Sequence, residues 1–234
     1  MKKTLVKLAL ILSITGICIA NAFASDVSLD AWLDSLEANQ WRMKKGMRGV
    51  SCRTCMIMHN LDKKSEIKDS DTTWYLVEFD LEGDQVRHET DRDGNITKRG
   101  DKPDDGDTKE ESMEISPFDP IKKEYRSDYQ FRIDAANNEN LPVITYEPKP
   151  GIKKGFYGKA TIDTSMWIFT KFEGRPVPYP KKMIKEMNIE LFFYHTEEGH
   201  VRLSKSITHL HAKILLLNIR VKSIENRFDY QRLE

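Results

Sequence analysis

Cys52-Arg53-Thr54-Cys55 is the most chemically specific spacing in the chain. A C-x-x-C pair can close a disulfide, exchange thiols or hold a metal. Cys18 falls in the leader described below, so Cys52 and Cys55 are the pair expected to form a disulfide. A regular strand would set them about 10 Å apart by rise alone, beyond the bridging limit of about 7 Å. The expectation therefore requires a turn or bulge at this point. A redox site needs the first Cys at a helix N-terminus after a strand, and no such context is visible. Covalent haem attachment needs His directly after the second Cys, where Met56 stands. Met43, Met47, Met56, Met58 and His59 surround the pair, and thioether, thiolate and imidazole together suit a soft ion such as Cu(I). Methionines equally fill irregular cores, and Met56 and Met58 would share one strand face, so the core reading is preferred.

The remaining candidates are weaker. His209 and His211 share a strand parity, with His195 and His200 at the preceding turn, but no carboxylate separates the first two. Asp91-Arg92-Asp93-Gly94-Asn95 opens like a calcium loop, yet Lys98 and Arg99 follow where an acid is needed. Ser, His and Asp occur without a nucleophile-elbow signature. These residues give no catalytic, metal or cofactor assignment, and an enzyme is not expected.

The 37 basic and 37 acidic residues balance, which gives no support for nucleic-acid binding. With 32% charged residues the chain is no multi-pass membrane protein, and 10 Phe, 8 Tyr and 4 Trp can nucleate a core. Lys2, Lys3 and Lys7 precede an apolar run, Leu8 to Ala20, and then Ala22-Phe23-Ala24. This is the pattern of a bacterial secretory signal peptide. The run is short and polar for a membrane span. Lipidation at Cys18 is disfavoured by bulky Ile17 before it. The expected organisation is a signal peptide over 1–24 and one domain over 25–234, in the periplasm, where thiols meet an oxidising environment.

Residues 28–43 read as one amphipathic helix, with Leu29, Trp32, Leu33, Leu36 and Met43 on one face and Ser28 as N-cap. From residue 49 the period becomes two. Thr72–Leu81 places Tyr75, Val77, Phe79 and Leu81 on one face, and turns are expected at Gly83-Asp84 and Asp93-Gly94. Residues 100–112 and 135–140 read as polar loops. Short strand 143–146 follows, then a hairpin of 159–163 with 167–172. Three prolines exclude 174–180 from a central strand. Residues 185–195 carry Met187, Ile189, Leu191 and Phe193 on one face. Strands over 201–209 and 212–223 follow, the latter with Leu215, Leu217, Ile219 and Val221 alternating. Local hairpins after one helix predict a mainly β (α+β) fold with an antiparallel sheet. The alternating set Tyr75, Val77, Phe79, Met187, Ile189, Leu191, Phe193, Leu215, Leu217 and Ile219 is expected to form one apolar face.

The order of these parts, with Gly158, Ile162-Asp163, Trp167-Ile168 and Glu173-Gly174 as the best-matching segment, resembles the periplasmic lipoprotein-carrier (LolA-like) superfamily. The resemblance spans most of residues 28–231. It implies a strongly curled antiparallel sheet forming an incomplete barrel, and a non-enzymatic carrier whose apolar face binds a lipid, an acylated lipoprotein or another apolar ligand. Membrane-associated proteins are the other partners implied, as for relatives that act as periplasmic sensors. A Cys/Met metal or redox protein is the remaining alternative. The chain departs from the carriers in its length, its acidic loop and its Cys pair. N-terminal sequencing of the exported protein is expected to begin at Ser25. A retained Met1 or a diacylglyceryl group on Cys18 would refute the leader assignment.

Overall fold

The computed structural model describes residues 28–100, 116–134, 141–179, 181–215 and 217–233. The expected leader, its expected cleavage site and nearly all of the two expected polar loops lie outside them. The chain divides into two units, Met1–Trp32 and Leu33–Glu234. In the first, the described residues begin helix α1 (Leu29–Asn39), and the Ser28 hydroxyl accepts the Ala31 N–H at 3.3 Å as the expected N-cap.

The helix read over 28–43 is two pieces, α1 and α2 (Trp41–Gly46). The break has a local cause. The Asn39 side chain donates to the Ser35 carbonyl at 2.9 Å, the Gln40 N–H reaches back only to Glu37, and the Gln40 amide donates to the Phe118 carbonyl. Side-chain bonding of this kind competes with helix continuation.

Eleven strands follow among the described residues: β1 (Val50–Leu61), β2 (Ile67–Phe79), β3 (Gln85–Thr90), β4 (Ile96–Lys98), β5 (Tyr129–Asp134), β6 (Val143–Pro148), β7 (Gly155–Asp163), β8 (Ile168–Val177), β9 (Ile184–His195), β10 (Val201–Ile214) and β11 (Leu217–Arg232). All pair antiparallel in one sheet ordered β4-β3-β2-β1-β11-β10-β9-β8-β7-β6-β5. The order never returns to its start, so the sheet is an incomplete barrel, and bulges in β8, β9, β10 and β11 bend it. The expected turns are present: Gly83 and Gly94 adopt φ of +99° and +98°. Asp91 receives the Asp93 and Asn95 N–H groups, and its bond from the Asn95 side chain holds its carboxyl below the usual range. This segment is a hairpin turn.

Two boundaries differ from expectation. Gly174–Val177 belongs to β8 despite Pro176. Beyond Gly174 β8 has no partner in β9 and pairs with β7 alone, a local edge where a missing N–H is tolerated. The last hairpin turns at Leu215, because Ala212↔Ile219 and Ile214↔Leu217 pair. No Gly, Asn or Asp marks that turn.

Directly opposed residues share a sheet face, so the register tracks one inner face across the sheet. It carries Tyr129, Tyr146, Ile144, Phe156, Ala160, Ile162, Phe169 and Phe172 on β5 to β8, all buried. A short segment lies on them: the one-turn 3₁₀ helix Asp119–Ile121, with Phe118 stacked on Phe169 at 5.4 Å, then α3 (Lys123–Arg126). Arg126 ties it to α1 through Asp34 and Glu37 at 2.6 and 2.8 Å. A second core of Val50, Cys52, Val77 and Phe79 takes Met47, Tyr75 and Tyr230 against it.

Gly158 and Gly174, two glycines of the recognisable segment, sit directly opposite each other on β7 and β8. A Cβ at Gly158 would strike the Tyr146 ring, and one at Gly174 the Phe172 ring. Those two rings stack at 6.3 Å. The glycines make room for this stack. Gly158→Ala is therefore expected to cost about 1–3 kcal/mol, whereas Lys159→Ala, exposed beside it, stays within about 0.5 kcal/mol. Thermal melting of both variants checks the difference.

Candidate functional site

The inner face changes character at β9. Phe172 on β8 is fully buried, and its direct neighbour Leu191 on β9 is only half-buried. The row continues through Ser206 on β10, Glu225 on β11, Met56 on β1 and Thr73 on β2, all half-buried. Met187 and Phe193 lie on the same face of β9, also half-buried, with Ile189 at 9% exposure between Met187 and Leu191. Phe193 meets the edge of the covering Phe118 ring at 5.7 Å. The apolar inner face thus extends beyond what its cover seals.

The predicted apolar set divides into three groups. Val77 and Phe79 are closed core beside Val50 and Cys52. Tyr75, Met187, Leu191 and Phe193, with Ile189 nearly buried, form the half-covered part. Leu217 and Ile219 carry this face out to the end of β11, where they are exposed. Leu215 is the correction: it does not line the face but sits in the β10–β11 turn, 89% exposed with φ +53°. Leu81 likewise lies past the end of β2 and is 74% exposed.

The sequence reading missed a charged group inside this face. Arg227 stands directly opposite fully buried Thr54, with its guanidinium 5.4 Å from the Phe79 ring centroid. Its Nε donates to Glu225 at 2.6 Å, and Arg87 reaches the same carboxylate at 3.4 Å. Burial works against the Arg227 charge, but Glu225 outweighs it and holds the proton more firmly than usual. Glu225 and Arg227 are two apart on a strand whose inner parity is otherwise apolar or small up to Ser223, a signal that period-two reading contains. Beside them the Tyr230 hydroxyl donates to the Leu203 carbonyl at 2.7 Å, and burial pushes its pKa far up.

Cys52 and Cys55 are both free. β1 runs through them as a regular strand, in unbroken register with β2 from Val50 to Asn60, and the bulge beside it lies on β11 between Phe228 and Gln231. Cys52 points into the core and Cys55, at odd offset, to the outer face. The expected Cys52–Cys55 disulfide is therefore corrected: the turn it requires is absent. The same parity separates Cys52, Met56 and Met58 from Cys55 and His59, which dissolves the soft-metal constellation. His209 and His211 do share a face, the outer one, but stand opposite Lys222 and Arg220. Among the described residues no group of three or more His, Cys, Asp or Glu could hold a metal ion.

No protein-family model matches the chain, and no curated protein does. Among solved structures it is similar to a putative outer membrane lipoprotein-sorting protein domain from Vibrio parahaemolyticus, at 12% identity and TM-score 0.42, covering 86% of this chain and 91% of that one. It is also similar to a LolA superfamily protein from Nitrosomonas europaea, at 12% identity and TM-score 0.43, covering 89% and 94%. A third is a DUF1329 family protein from Desulfovibrio piger, at 10% identity and TM-score 0.36, covering 86% and 92%.

Burial raises the pKa of both thiols, with Arg227 partly opposing the rise at Cys52. Denatured, non-reduced protein is expected to titrate two free thiols. In the native protein Cys55 should alkylate first, faster as pH rises toward its raised pKa, and Cys52 only on unfolding. Mass spectrometry of the alkylated peptides reads both; an intact Cys52–Cys55 bridge would contradict the strand geometry.

Proposed function

We propose that the chain is an exported, non-enzymatic binding protein that holds an apolar or acylated ligand, such as a lipid or the acyl chains of a lipoprotein, against the inner face of its sheet in the periplasm. The observation that carries this reading is the passage from sealed to half-covered apolar surface along one row, from Phe172 to Leu191. Apolar side chains left partly wet on a concave face lose the burial energy that their neighbours gain. An acyl chain laid on Met187, Leu191 and Phe193 recovers it at about 0.8 kcal/mol per buried methylene. No polar motif is required for that affinity. The Arg227–Glu225–Arg87 group carries one more positive than negative charge, which suits a ligand with an anionic end.

A second reading, a periplasmic sensor that binds another protein, draws on the opposite face. Ile207, Ile224 and Ile57 stand in one row on β10, β11 and β1, all half-buried, with the Trp74–Phe228 edge contact at 6.2 Å on the same side. A patch of this kind fits a protein partner.

A fluorescent fatty-acid probe separates the two. The first reading expects micromolar binding that Leu191→Lys reduces at least tenfold and Leu191→Met leaves nearly unchanged. Absence of probe binding to the wild type would set the first reading aside in favour of the second.

A further inference from the structure

The tip of the β10–β11 hairpin presents apolar side chains to solvent at a place where they cannot serve the core. Leu215 is 89% exposed and Leu217 67%, with Ile214 exposed beside them. Leu215 also holds a left-handed conformation, φ +53°. A branched side chain is disfavoured there, and turns of this kind favour Gly or Asn. A soluble hairpin gains nothing from a leucine at such a position.

The hairpin also projects. The last β1 partner of β11 is Asn60 with Val221, so Leu217 lies four residues further out, roughly 13 Å. On the other side β9 ends against Ala212, followed by a single bond from the Lys213 N–H to the Met183 carbonyl at 2.8 Å. Met183 and Ile67, at this same end, are exposed as well.

The surroundings are cationic. Lys63, Lys64 and Lys68 lie at the β1–β2 connection, held to the hairpin by Arg220, which donates to the Lys63 carbonyl at 2.7 Å. Lys181, Lys182 and Lys185 flank the start of β9, and Lys213 adjoins the tip; all are exposed. The acids at this end are Asp62, Glu66, Asp69 and Glu186. Asp62 is engaged in its own turn, accepting the Lys64 and Glu66 N–H groups at 2.7 and 2.9 Å. Cations outnumber acids, and the apolar tip stands ahead of them.

We propose that this end of the sheet docks on an anionic lipid surface. Ile214, Leu215 and Leu217 enter the boundary between headgroups and acyl chains, and the lysines behind them meet the phosphates. Apolar side chains with basic residues around them are the two components of reversible interfacial binding. A second copy of the chain, itself equally cationic at this end, would bring like charges together. The inner face of Ile219, Val221 and Leu210 runs on from the tip, so a docked protein presents its half-covered face to the bilayer. The docking surface stands whether or not that face takes a ligand.

The test is flotation of the exported chain with vesicles of 30% phosphatidylglycerol in phosphatidylcholine, against pure phosphatidylcholine. The protein should float with the anionic vesicles, and 0.5 M salt or Lys181→Glu/Lys182→Glu should weaken binding at least fivefold. Leu215→Glu and Leu217→Glu should each weaken it at least fivefold, and Leu215→Glu, which lies off the inner face, should do so with melting temperature and fatty-acid-probe binding retained. Leu215→Trp should show a blue-shifted emission on the same vesicles, a readout independent of the charged variants. Failure to float, flotation unaffected by the leucine changes, or an unshifted tryptophan overturns the proposal. So does concentration-dependent dimerisation that Leu217→Glu abolishes, which would make the tip a self-association surface. Loss of probe binding with flotation intact would refute the ligand reading alone.

Discussion

An antiparallel sheet of eleven strands turns one side chain in two toward its inner face, and that face has to be covered by something. The chain provides a small cover: α1, α2 and the short segment around Phe118 to Arg126. Hydrophobic burial scales with the area removed from water, so the cover works where it reaches. Beneath it Tyr146, Phe156 and Phe172 are at most 1% exposed. Beyond it Leu191 and Met187, of the same chemistry and on the same face, stay half-wet. The other functional features follow from this mismatch between the extent of the sheet and the extent of its cover.

The cover is anchored by directional interactions as well as by apolar contact. Arg126 joins α3 to Asp34 and Glu37 of α1, and its side-chain bond holds the Asp34 carboxyl below its usual range. The Gln40 amide holds the helix break to the Phe118 carbonyl. Gly46 packs against the Val201 backbone so closely that no Cβ would fit, which brings α2 onto the start of β10. These contacts fix where the cover stops. The glycine pair Gly158 and Gly174 has the complementary role of admitting the aromatic stack beneath it.

At the open part of the face the Arg227–Glu225–Arg87 group is the electrostatic feature. A buried ion pair seldom adds net stability, because desolvation offsets the attraction. Here two guanidiniums share one carboxylate, and each also lies over an aromatic ring, Arg227 on Phe79 and Arg87 on Tyr75. That arrangement keeps positive charge inside an otherwise apolar surface. Further along the same strands the apolar character resumes and ends at the exposed leucines of the β10–β11 turn.

Period and punctuation determined much of this protein. Alternation assigned Tyr75, Val77, Phe79, Met187, Ile189, Leu191 and Phe193 to one face, because side-chain parity in a strand is a local property. Gly83 and Gly94 marked their turns because a positive φ is a local demand too. Three things were decided only by tertiary structure. The β10–β11 turn carries no turn residue, and cross-strand pairing of Ala212 with Ile219 sets it, so Leu215 left the apolar face for the tip. Cys52 and Cys55 were close in sequence, yet pairing on both sides of β1 keeps that strand extended and places the thiols on opposite faces. Whether an inner-face residue is sealed core or open surface depends on how far a distant segment reaches. Val77 and Leu191 look alike in a periodic pattern, and only packing from distant parts of the chain, Met47 and Tyr230 against the core that holds Val77, tells them apart.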